Sequence, residues 1–193
     1  MTDHPDGRNL AVNGLDMYVT ETGEGPPVVL CHGFPDLSFS WRHQLPALAS
    51  AGYRAIAPDQ RGYGRTSRPD DISAYDIKAL TGDLVALLDV LDEEEAVFVG
   101  HDWGAIVVWN LALLAPERVR AVVGMSVPFV RRPVRPPTEI FQELFGDTWF
   151  YMLYFQEPGV ADADLGHDAA LTMRRFLGAI DGSVAARDTS GLA

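Results

Sequence analysis

The pentapeptide Gly100-His101-Asp102-Trp103-Gly104 sets an acidic side chain between an apolar, strand-like run, Ala96 to Val99, and a helix-like run, Ala105 to Ala115. A sharp strand-to-helix turn of this kind presents its central residue as a nucleophile. The flanking Gly100 and Gly104 permit unusual backbone angles and close strand-helix contact there. The start of the following helix adds N–H groups and a dipole that favour negative charge on Asp102. A carboxylate in that slot forms an alkyl ester rather than an acyl-enzyme. The plainer role for the same residue is to cap the helix that follows.

The segment His32-Gly33-Phe34-Pro35 comes directly after a second apolar run, Pro27 to Cys31. The backbone N–H groups of Phe34 and Trp103 could together form an oxyanion hole, for the oxygen that turns anionic when water attacks an aspartyl ester. An ordinary Gly-Pro turn is the alternative. His32 and His101 adjoin these turns and read as hydrogen-bonded structural residues, while His43 and His167 have no motif around them. A metal-binding His-Glu-x-x-His spacing does not occur. Asp59-Gln60-Arg61-Gly62-Tyr63-Gly64 lacks the full Gly-x-Gly-x-x-Gly series of a phosphate loop, so it reads as a structural loop in which Arg61 holds a carbonyl or carboxylate. In the aromatic stretch Trp149 to Phe155, helical spacing puts Tyr151, Tyr154 and Phe155 on one face. A buried tyrosine hydroxyl needs a partner, and a substrate oxygen above Asp102 is one candidate beside plain aromatic packing.

The elements around these motifs define how they meet. Leu15 to Thr20, Pro27 to Cys31, Tyr53 to Ala57, Ala96 to Val99 and Val119 to Met125 read as strands. Trp41 to Ala51, Tyr75 to Leu91 and Ala105 to Ala115 read as helices between them. Apolar strands alternating with helices predict an α/β fold with a mostly parallel sheet covered on both faces. Ligands bind such sheets beyond the carboxyl ends of the strands, which is where both turns fall. After Ser126, Pro128, Pro133, Pro136 and Pro137 with three arginines make a stiff connector. The expected division is a core over residues 1–127 and a helical, aromatic-rich second part over 128–193.

Composition narrows the field of functions. With 47% hydrophobic and 22% charged residues the chain is of ordinary globular type. Acidic residues outnumber basic ones 27 to 15, which argues against a nucleic-acid partner. No segment offers about 18 uninterrupted apolar residues, so no membrane partner is expected, and a cytoplasmic protein is the simplest inference. Cys31 is the only cysteine, which leaves no intrachain disulfide and suggests a small buried hydrophobe.

Together these residues resemble the α/β-hydrolase-fold epoxide hydrolases of the soluble type. The resemblance is carried by His32 to Pro35 continuing through Ser40-Trp41-Arg42-His43-Gln44, by Asp59 to Gly64, by the Asp102 turn, by Pro116-Glu117-Arg118-Val119 and by Tyr151 to Gly159. It implies a small-molecule epoxide substrate, no cofactor, Asp102 as nucleophile and Phe34 and Trp103 as oxyanion donors. It also implies Tyr151 as the cap tyrosine that serves the epoxide oxygen, with Phe34, Pro35, Trp103 and Tyr154 lining the substrate site. In that family the second cap tyrosine, the last core strands, the relay acid and the base histidine follow the cap, and this chain ends inside it. The expectation is therefore a sheet with an open edge and a chain that forms the ester without turning it over. Haloalkane dehalogenases share the turn with Trp103, and a non-catalytic domain is the reading from a different class. Neither the particular substrate nor the oligomeric state is written in these motifs.

Overall fold

The apolar runs of the first half pair into one six-stranded sheet in the computed structural model, which describes residues 6–181. In chain order the strands are β1 (Gly7–Val12), β2 (Leu15–Thr22), β3 (Pro27–Cys31), β4 (Arg54–Pro58), β5 (Ala96–His101) and β6 (Val119–Met125). Their spatial order is β1-β2-β4-β3-β5-β6, parallel from β4 to β6 and antiparallel where β2 meets β1 and β4. The central strands are apolar without interruption because both of their faces are covered. Val29 and Cys31 of β3 join Phe98 of β5 in one buried cluster, while Val28 and Leu30 turn to the other. Successive side chains of a strand serve opposite faces.

Three helices cover the sheet: α1 (Gln44–Ser50), α2 (Ile77–Val90) and α3 (Trp103–Leu114). Leu45 of α1 packs with Val28, Leu30 and Trp41 on one face. On the other, Leu84, Leu87 and Leu88 of α2 meet Val107, Val108 and Leu111 of α3. Each fully buried side chain of this size contributes about 1.5–3 kcal/mol. α2 begins at an N-cap, where the Asp76 side chain accepts the Ala79 N–H at 2.7 Å. That cap is why the helix starts two residues after the expected Tyr75.

The helix expected from Trp41 starts only at Gln44, after a separate 3-10 turn over Ser38–Trp41. Pro46 has no N–H to give a preceding carbonyl, so it is tolerated only in a first helical turn. β1 adds to the strands expected from the sequence. It pairs with β2 through Asn13 and Gly14, both at positive φ (47° and 76°), the geometry of a tight hairpin. β1 and β6 are the outer strands of the sheet among the described residues, and Val123 and Met125 of β6 are exposed.

The chain divides into two compact units after Val130, slightly beyond the expected boundary at 127/128. The second contains α4 (Pro137–Phe145), α5 (Tyr151–Tyr154), α6 (Val160–Leu165) and α7 (Ala169–Asp181), with no strand among its described residues. Its aromatic centre is built by Phe145 stacked on Phe150 at 4.2 Å, with Phe141 edge-on to Phe150 at 5.1 Å.

Candidate active site

β5 ends at His101 and α3 begins at Trp103, so the whole change of direction falls on Asp102, whose φ is 53° and ψ −119°. A side chain held in that region costs about 1–3 kcal/mol, strain that surrounding packing must hold in place. The packing is close: a Cβ on Gly100 would collide with the Gly104 carbonyl, and one on Gly104 with the Cys31 carbonyl. Only glycine lets α3 approach β5 and β3 so nearly.

Asp102 does not cap its helix, since its side chain makes no capping hydrogen bond. Instead Oδ1 accepts the Phe34 N–H at 2.9 Å, from the turn that follows β3. The Gly33 between them leaves room for this, because a Cβ there would lie 2.5 Å from both Cβ and Oδ1 of Asp102. The Trp103 N–H belongs to the first turn of α3, where N–H groups lack an intrahelical carbonyl. Phe34, Pro35, Asp102 and Trp103 thus share the carboxyl ends of β3 and β5.

Tyr151 and Tyr154 occupy α5 in the second unit. Tyr151 meets Phe150 and Phe155 edge-on at 5.2 and 5.8 Å. The Tyr154 hydroxyl donates to Asp164 Oδ2 at 2.9 Å, and that hydrogen bond holds its phenol above the usual range. A phenol whose proton is held by a carboxylate is the poorer donor to a substrate oxygen.

His32 is buried and engaged at both ring nitrogens, in keeping with a structural histidine. Burial holds its imidazole below the ordinary value, against the opposing Gly33 carbonyl and the Asp59 and Asp36 carboxylates. His101 is partly exposed, with Nδ1 3.9 Å from Asp36 Oδ2. Arg61 holds a carboxylate, donating to both oxygens of buried Asp83 at 2.8 and 2.6 Å, and Asp83 also accepts from Asn13 at 2.8 Å. Burial pushes the Cys31 thiol up to about 12. Among the described residues no group of three or more His, Cys, Asp or Glu could hold a metal ion. Among them, too, no helix is long and apolar enough to cross a membrane. Gln60 carries no motif signal of its own, although it lies in the loop that grips His32.

A mostly parallel sheet that carries an acid on a strained strand-to-helix turn, with a backbone donor from the β3 turn on its carboxylate, defines a nucleophile-elbow hydrolase architecture. Residues 26–181 match the model of the alpha/beta hydrolase fold, and the chain belongs to that family. It is 57% identical over 178 residues to epoxide hydrolase A of Mycobacterium tuberculosis, a match that covers 91% of this chain and 55% of that protein. It is 52% identical over 170 residues to an epoxide hydrolase of Caballeronia sordidicola, covering 88% of this chain and 51% of the other. Among solved structures, epoxide hydrolase A from Mycobacterium thermoresistibile superposes with a TM-score of 0.88 at 56% identity, over 96% of this chain and 58% of that one. The chain spans about half the length of the curated relatives it matches.

Proposed function

We propose that the chain carries the ester-forming half of an epoxide hydrolase reaction. The observation that carries this reading is the hydrogen bond from the Phe34 N–H to Asp102 Oδ1. With Oδ1 tied to a backbone donor, Oδ2 is the oxygen that attacks an epoxide carbon. Its lone pair forms the C–O ester bond while the ring C–O bond breaks, and the electron pair of that bond goes to the ring oxygen. Tyr151 is the group assigned to that oxygen, as hydrogen-bond or proton donor, on the strength of the family resemblance. When water later attacks Cγ of the ester, negative charge develops on Oδ1, and the N–H groups of Phe34 and Trp103 stabilise it. Collapse breaks the Cγ–Oδ2 bond and releases a diol. In the family this chain resembles, a His-carboxylate pair activates this water. The names of the similar proteins favour an epoxide over a haloalkane as the electrophile.

Incubation with styrene oxide followed by intact-mass analysis tests the reading. The expected result is one added styrene oxide per folded chain, mapped to Asp102 by peptide fragmentation and absent in Asp102→Ala. An unmodified mass from folded protein, or bromide release from a bromoalkane without any epoxide adduct, overturns it.

A further inference from the structure

The Phe34 N–H serves Asp102 only while the Gly33-Phe34 turn keeps its place, and the hydrogen bonds behind that turn lead to a second loop. Asp59 anchors the loop at one end: Oδ1 accepts the Ser38 N–H at 2.9 Å, Oδ2 accepts the Arg65 N–H at 3.1 Å, and its own N–H donates to the Tyr18 carbonyl at 2.9 Å. Arg61 anchors it on the other side through Asp83. Gln60 is held between these two fixed points.

From there Gln60 grips His32 twice. Its backbone N–H donates to His32 Nε2 at 3.0 Å, and its side-chain amide donates to the His32 carbonyl. A backbone N–H can only donate, so Nε2 must be the accepting nitrogen. The ring proton then sits on Nδ1, 2.9 Å from the Gly33 carbonyl, to which it donates. The neutral imidazole is a strut between Gln60 and the turn that delivers the Phe34 N–H, and it is 1% exposed. Asp59 and Asp36 face it electrostatically, and Tyr63 packs edge-on at 4.9 Å.

We propose that Gln60 is a positioning residue for the Asp102 chemistry, acting through His32 to hold the Gly33-Phe34 turn so that the Phe34 N–H stays on Oδ1. The proposal rests on the reading of Asp102 as nucleophile. Gln60 acts at one remove from the carboxylate, its backbone N–H through the neutral imidazole and its side-chain amide through the His32 carbonyl. An imidazolium would set an Nε2–H against the Gln60 N–H, donor against donor.

The test combines alkylation of the full chain by styrene oxide with NMR of His32 and of the Phe34 amide. In the wild type the imidazole nitrogens show the Nδ1–H tautomer. Gln60→Ala and Gln60→Glu, compared in their folded states, alkylate Asp102 about tenfold more slowly, the loss expected for about one hydrogen bond. In Gln60→Glu, which sets a carboxylate beside His32 and so favours the imidazolium, alkylation fails at a higher pH than in the wild type as the solution is acidified, and in both variants the Phe34 amide proton shifts toward its position in Asp102→Ala. Variants that melt earlier but keep the wild-type rate, pH profile and Phe34 signal would show a merely structural Gln60 and overturn the proposal. A wild-type His32 protonated at Nε2 overturns it without any variant. If the wild type is not alkylated at all, the nucleophile reading fails by itself, and the tautomer and amide signals still judge the relay.

Discussion

The backbone N–H of Phe34 lies 2.9 Å from Oδ1 of Asp102, a contact that joins two turns 68 positions apart in the chain. It is a hydrogen bond to a charged group, of a kind that contributes about 1.5–3 kcal/mol. The contact exists because Gly33 has no side chain. Gly33→Ala would place a Cβ 2.5 Å from Oδ1, so either the turn or the carboxylate must move. We expect this variant to lose at least tenfold in the rate of Asp102 alkylation and about 1–3 kcal/mol of stability, the usual cost of overpacking. Mass spectrometry and urea denaturation measure the two effects, and a wild-type rate would show that the close approach is dispensable.

Asp102 itself is strained for the sake of its placement. Glycine relieves a positive φ of 53° without a steric penalty. Asp102→Gly should therefore abolish alkylation with little net change in stability, since the strain relieved, about 1–3 kcal/mol, offsets the Phe34 hydrogen bond lost, about 1.5–3 kcal/mol. A urea midpoint near that of the wild type with an unchanged slope is the expected signature. A fall would mean that the Phe34 hydrogen bond outweighs the strain.

His32 makes stability depend on pH in a stated direction. Burial depresses its folded value below the ordinary 6.5, so the contribution is complete above 6.5. As the pH falls below 6.5 the unfolded chain takes up a proton that the folded chain still refuses, and stability declines until the lower folded value is passed. Urea midpoints measured across this window should fall with acidification. Because Asp and Glu residues also titrate at the acid end, the decline must flatten in His32→Gln at its upper end if His32 is its cause.

Cys31 is fully enclosed, and its thiol is pushed up to about 12 by burial. The thiolate is the reactive form, so iodoacetamide should leave the native chain unlabelled and modify it once urea exposes β3. Rapid labelling of folded protein would contradict the packing of β3 against β5 and α3.

Much of the core is legible in the amino-acid pattern. β3 and β6 fall on the runs Pro27 to Cys31 and Val119 to Met125 because uninterrupted apolar residues bounded by turn formers have few other places to go. β1 gives a weak signal because its residues are mostly polar or exposed, yet Asn13-Gly14 is a readable hairpin mark. The start of α1 differs by three residues from the expected one because aromatic Trp41 continues the apolar pattern, whereas Pro46 decides where helical hydrogen bonding can begin.

The sequence by itself determined which side chain would stand at the strand-to-helix turn, and which glycines would allow it, since these depend on local backbone freedom. Only the tertiary structure decided what the Asp102 carboxylate touches. Hydrogen bonding is short-ranged and directional, so whether Asp102 caps α3 or receives Phe34 depends on how β3 and β5 lie side by side. The same holds for Gln60, an ordinary loop residue in the chain, whose grip on His32 exists only because β3 and β4 pair in parallel and bring their following loops together.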